Sequence, residues 1–197
     1  MSASGSVGVF ALVVGAFVAF TLIIILIYAS RYKRVPPGKA LVVYGKGIRP
    51  PGYIIITAGG MFILPVVQGH NFIPLDKWNC EIPVEGLASN SDPQKRIDMK
   101  LYCQFGIGDD EKNMQKAVKN FLRKSDSEVH DEIEEMIKAH ASAVSRDLFR
   151  KYPLPQLADD WTATGEMVRK RVEAKVSFMG VTVPTTMVKE LRVLDVA

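Results

Sequence analysis

The chain has 197 residues, 48% of them hydrophobic and 23% charged, with a formal net charge of +4. That balance belongs to a globular domain and excludes a disordered or low-complexity segment. Two cysteines, Cys80 and Cys103, make no disulfide framework, and no metal-ligand spacing contains them.

Residues 7–28, VGVFALVVGAFVAFTLIIILIY, hold no charged side chain. At 1.5 Å per residue they reach about 33 Å, enough to cross a hydrocarbon core of about 30 Å with slight tilt. A buried core helix with no polar face would be unusual in a chain this small. A cleavable signal peptide would need a basic n-region, a shorter apolar run and a small-residue exit. The pattern predicts a transmembrane helix at 7–28, preceded by a short extracytoplasmic segment at 1–6. No Lys or Arg precedes Ser30, whereas Arg31, Lys33 and Arg34 follow directly. By the positive-inside rule the chain crosses the cell membrane once, with the amino terminus outside and the remainder in the cytoplasm. Tyr28 and Tyr32 fall where interfacial aromatics belong.

Charge is unevenly spread. Residues 31–75 carry six basic side chains (Arg31, Lys33, Arg34, Lys39, Lys46 and Arg49) and no acid; the first carboxylate is Asp76. From Asp76 onward the count is 19 basic against 21 acidic. A pI near 9.0 therefore marks the segment beside the membrane rather than a nucleic-acid site. Anionic headgroups of the inner leaflet attract such a segment by about 1 kcal/mol per basic residue near the surface. Topogenic charge alone accounts for the first three of these residues equally well.

After the anchor, Val35-Pro36-Pro37-Gly38 ends the helix and begins an extended passage. Residues 40–44 read as a strand, 45–52 as a glycine- and proline-rich loop, and 53–57 as a second short strand. Ala58-Gly59-Gly60 turns the chain into the apolar run 61–67, and 71–75 and 80–84 look extended. The runs holding Ile54, Ile55 and Ile56, and Met61, Phe62, Ile63 and Leu64, lack alternation. They fit strands buried on both faces, or loop tips dipping into the bilayer interface.

Asn90-Ser91-Asp92-Pro93 is a turn. The following segment alternates, with Ile97, Met99, Leu101, Cys103, Phe105 and Ile107 on one face and Arg96, Asp98, Lys100, Tyr102 and Gln104 on the other. This predicts a long strand with one face on a core and Cys103 as a buried small hydrophobe. Three helices follow. The first covers 110–122. The second opens at a Ser125/Glu128 capping box and runs to about Arg150, with a stripe of Val129, Ile133, Met136, Ile137, Val144 and Leu148 and a half-buried His140. Pro153 and Pro155 break the chain. The third runs from about Asp159 to Met179, through Trp161, Val168, Val172 and Val176, and stops at Gly180. Residues 181–194 return as strand. The acids Glu128, Asp131, Glu132, Glu134 and Glu135 read as a solvated helix face, favoured near the helix start by its dipole.

Catalytic signatures are not found. His70, His130 and His140 show no metal spacing to a cysteine or carboxylate, and nucleophile-elbow, zincin and P-loop patterns are missing. The reading is a non-enzymatic protein with no cofactor, no metal and no nucleic-acid partner.

Pro37-Gly38-Lys39-Ala40-Leu41-Val42-Val43 after a membrane segment, then Gly59-Gly60-Met61-Phe62-Ile63-Leu64-Pro65-Val66-Val67-Gln68, resembles the opening of the SPFH (Band 7) domain. Within the stomatin/prohibitin/flotillin superfamily it is most similar to flotillins. So are Asn120-Phe121-Leu122-Arg123-Lys124-Ser125, the helix with Ala139-His140-Ala141-Ser142-Ala143-Val144, and Phe178-Met179-Gly180-Val181-Thr182-Val183 before Leu191-Arg192-Val193-Leu194-Asp195. The resemblance implies an α+β domain of antiparallel-rich sheet and packed helices, divided into a membrane-proximal first half at 31–89 and a second half at 90–197. It also implies a membrane-bound oligomeric scaffold that organises microdomains. The expected membrane contacts are Arg31, Lys33, Arg34, Lys39, Lys46, Arg49, Ile54, Ile55, Ile56, Met61, Phe62, Ile63 and Leu64. The alternative, drawn from other members, is a regulator or adaptor of a membrane protease or other membrane complex. Flotillins continue into an Ala/Glu-rich coiled coil, and no heptad region follows here. Domain-to-domain packing carries over as homo-oligomerisation, with or without a partner that bears a coiled coil; a closed cage does not carry over.

Overall fold

A computed structural model describes residues 3–48, 50, 52–64, 66–88 and 95–195. The expected turn at 90–93 and Arg49 lie outside them. The architecture is α+β, and the chain separates into two compact units, one of Met1–Pro37 with Leu41–His70 and one of Gly38–Ala40 with Asn71–Ala197.

In the first unit, helix α1 spans Ala3–Ser30. Two small sheets follow. Strand β1 (Tyr32–Arg34) pairs antiparallel with β4 (Gly60–Phe62). Strand β2 (Lys39–Gly45), whose first two residues count with the second unit, lies between β3 (Tyr53–Ile56) and β5 (Gln68–Pro74), whose last four residues do so as well. The β2–β3 register sets Leu41 opposite Ile56 and Tyr44 opposite Tyr53. Leu41, Val42 and Val43 of β2 are fully buried, whereas in the first unalternating run Ile54 is 39% exposed and Ile55 and Ile56 are half-buried, so that run is a partly exposed strand rather than one buried on both faces. Two expectations need correction. The helix ends at Ser30, before the prolines, because 32–34 finds a partner strand in β4. The run 61–67 is strand only as far as Phe62 and then becomes a loop.

The second unit is built on an antiparallel sheet of order β6-β7-β8, with β6 at Trp78–Ala88, β7 at Lys95–Ile107 and β8 at Val181–Asp195. Trp78–Ala88, which the sequence groups with the membrane-proximal half, is hydrogen-bonded along β7. The predicted alternation of β7 holds: Ile97, Met99, Leu101, Cys103, Phe105 and Ile107 are all buried. Pro83 lies on β6, an edge strand, where the amides that point away from β7 have no ladder partner to lose.

Helices α2 (Glu111–Phe121), α3 (Asp126–Lys151) and α5 (Trp161–Val176) pack on this unit. Helix α3 begins at the capping box, in which the Glu128 amide donates to Ser125 Oγ and the Ser125 amide donates to Glu128 Oε2 at 2.7 Å. Its stripe is buried at Val129, Ile133, Ile137, Val144 and Leu148, while Met136 and His140 are half-buried. The proline break contains a short helix α4 (Leu154–Asp159), with Pro155 in the first turn, where the missing amide is an orphan in any helix. Helix α5 presses Thr164, Gly165, Val168, Val172 and Val176 inward and leaves Trp161 41% exposed, off the predicted stripe. A Cβ on Gly165 would come within 2.7 Å of the Thr186 carbonyl, so glycine permits the close helix–sheet approach.

Cys80 and Cys103 face each other across β6 and β7, both buried. Burial pushes the Cys80 thiol up to about 12, and burial pushes Cys103 up as well. A raised folded value means that the neutral thiol contributes its full stability below the unfolded value near 9 and loses it as pH rises toward 12. Stability in urea is therefore expected to fall above about pH 9, by up to about 1.4 kcal/mol per unit from this one group. Cys80→Ala should flatten that slope. An equal slope in the variant would show that the thiol is not responsible.

Candidate membrane-proximal site

Helix α1 does not end in a loose tether. The Arg31 amide donates to the Tyr28 carbonyl at 3.1 Å, and the Ile63 amide donates to the Arg31 carbonyl at 3.1 Å. Tyr32 lies opposite Phe62 and Lys33 opposite Met61. The Tyr28 ring, still on α1, stacks on Phe62 with centroids 4.2 Å apart and planes 28° apart. Such a pair is worth about 0.5–1.5 kcal/mol beyond its buried area. Gly60 is required here, since a Cβ would stand 2.6 Å from the Lys33 carbonyl.

Beyond Phe62 the chain closes a small apolar loop. The Gln68 amide donates to the Leu64 carbonyl, and the Leu64 amide donates to Gln68 Oε1, both at 3.0 Å. The loop displays Leu64 at 51% exposure, Val66 at 103% and Val67 at 41%. Val66 stands at φ 76, in the left-handed region that a β-branched residue avoids at a cost of about 1–2 kcal/mol. The Lys46 amide donates to the Val67 carbonyl at 2.9 Å, which sets an exposed cation beside the apolar tip.

The expected contact residues divide. Arg31, Lys33, Arg34 and Lys46 are exposed, as are Ile54 and Leu64. Ile55, Ile56, Met61 and Phe62 are half-buried. Ile63 is 6% exposed, so its side chain is buried rather than on a surface. Lys39 falls in the second unit and is ion-paired with Asp126, which withdraws it from the basic set. Val66 and Val67 are the residues that sequence reasoning left out of the site. Pro65-Val66-Val67 gave no sign of them, because nothing in a valine announces a positive φ.

A second cluster lies elsewhere. His130, Asp131 and Glu134 on α3 bring one ligand atom each to within 4.8 Å of one another, against the expectation that no histidine has metal spacing. The signal was present: His at i and Glu at i+4 share a helix face.

Among the described residues one helix segment, Leu12–Ser30, is long and apolar enough to cross a membrane, and all of it is exposed. That helix, followed by an α+β body, points to a membrane-associated protein. Residues 33–195, most of the chain, match the SPFH domain / Band 7 family, and the chain belongs to that family. No curated protein matches it.

Proposed function

We propose that this protein is a single-pass membrane scaffold, flotillin-like in type, that oligomerises and organises a patch of lipid and protein. The amino terminus lies outside and the folded units in the cytoplasm. The observation that carries the reading is the clamp of α1 onto β1 and β4, which holds Leu64, Val66 and Val67 near the end of the apolar helix. Exposed apolar side chains flanked by Lys46, Arg31, Lys33 and Arg34 match an interface of acyl chains under anionic headgroups. Each copy alone offers a weak contact. Association of several copies multiplies it without any new chemistry. Generally non-enzymatic roles in this family agree with the lack of a catalytic signature in the sequence.

The test uses full-length protein in nanodiscs. A polarity-sensitive fluorophore at Val66→Cys, in a background lacking Cys80 and Cys103, should shift to the blue and be quenched by lipids brominated near the headgroup. It should respond less in neutral than in anionic bilayers. Emission matching free dye would remove the surface contact, and a strictly monomeric species on blue-native electrophoresis would remove the scaffold.

A second reading, an adaptor of a membrane protease or another membrane complex, is favoured by a groove of about 690 Å3 between α5 and β8, where Trp161 and Met187 stay exposed. A stoichiometric partner that co-purifies with the native protein, and is lost in Trp161→Ala, would move the assignment to it.

A further inference from the structure

We propose that His130, Asp131 and Glu134, in the first turns of α3, form a binding site for a divalent transition-metal ion, with Zn2+ as the best fit. An imidazole nitrogen sets this group apart from the carboxylates around it. His130 Nδ1 lies 3.1 Å from Asp131 Oδ1 and 3.8 Å from Glu134 Oε2. A tetrahedral Zn2+ with bonds of about 2.0–2.1 Å holds its donors about 3.3 Å apart. The two separations from His130 bracket that value, and the two carboxylate oxygens lie within 4.8 Å of each other, so drawing the three donors onto one ion asks for movement of the carboxylate side chains.

The ligands are held from behind. The His130 ring meets the edge of Trp78 at 5.1 Å and 84° and lies against Phe105 at 6.1 Å, two uncharged neighbours from β6 and β7. Glu134 gives its Oε1 to Lys138 at 2.7 Å, which leaves Oε2 turned toward the imidazole. Glu132, the next carboxylate, is taken by Lys124 and does not compete. The aromatic contacts fix the ring, and the ion pair with Lys138 fixes one carboxylate. One neutral imidazole with two carboxylates balances a doubly charged ion. The set is too small and too nitrogen-bearing for Ca2+, which takes six to eight oxygens, and three protein ligands leave a position open for water. Asp131 is 78% exposed and Glu134 26%, so the ion has an entry path. The site is independent of the membrane reading.

The alternative is an imidazolium paired with the two acids, which needs no ion. Titration of Zn2+ into the untagged full chain in nanodiscs, in competition with a chromogenic chelator, separates the two. We expect one ion per chain, and Co2+ should give the visible absorption of four-coordinate geometry. His130→Ala and Glu134→Gln should each weaken Zn2+ association by about tenfold or more. His140→Ala should leave it unchanged. Because His130 packs on Trp78, the Glu134→Gln variant, which keeps that packing, guards against loss by unfolding. Failure of the wild-type chain to bind Zn2+, or wild-type affinity in both His130→Ala and Glu134→Gln, would overturn the site.

Discussion

Arginines at Phe17 and Thr21 together are expected to expel α1 from the bilayer, whereas Phe17→Arg alone only weakens insertion. The two positions lie one turn apart near the middle of the span, and the described part of the helix is exposed throughout, so nothing within this chain shelters a charge there. An arginine at a helix centre costs about 2.5–3.5 kcal/mol on insertion scales, and each Leu, Ile, Val or Phe returns only about 0.3–0.6. The many apolar residues of 7–28 outweigh one such charge but come close to balance with two. The double variant should leave the carbonate-resistant membrane pellet, the single one should be depleted from it, and Phe17→Leu with Thr21→Leu should behave as wild type. If the double arginine variant stays integral to the membrane, α1 is not the anchor.

Gly180→Ala should destabilise the second unit by about 3 kcal/mol or more. Gly180 closes the 3-10 turn after α5 at φ 80, and a Cβ there would strike the Asn113 carbonyl on α2. The left-handed backbone alone costs a non-glycine residue about 1–2 kcal/mol. The collision adds to this, because the atom in the way is backbone and can move only by shifting α2, which buries Ala117, Val118 and Phe121. Gly86 supplies the comparison. It has φ 67 in the same unit, but nothing lies within 4 Å of its missing Cβ, so Gly86→Ala should cost about 1 kcal/mol. Urea unfolding followed by Trp78 and Trp161, both in this unit, reads the difference. Equal costs for the two variants would show that the contact with α2 is unimportant.

The two glycines also show where sequence reading stops. Gly180 was legible as a helix stop, because a glycine after the last periodic position is the usual left-handed terminator. Its contact with Asn113 was not legible, since that depends on where α2 lies. The same division runs through the site. Residues 31–34 could be read as a cationic collar from charge alone, but the pairing of Tyr32–Arg34 with Gly60–Phe62 joins segments far apart in sequence. Lys39 looked like one more member of the collar until its partner, Asp126, appeared 87 positions later.

Taken alone, the sequence determined whatever repeats with a local period or needs only composition: the apolar span, the alternation of β7, the stripe and capping box of α3, the uneven charge. Tertiary structure decided the rest: the burial of Ile63, the exposure of Val66 at positive φ, the stack of Tyr28 on Phe62, and the packing of Trp78 and Phe105 against His130. The reason is physical. Periodicity records which face of an element meets a core, whereas the identity of the neighbour across that core is fixed only when distant segments pack, and each of these features is a property of the neighbour.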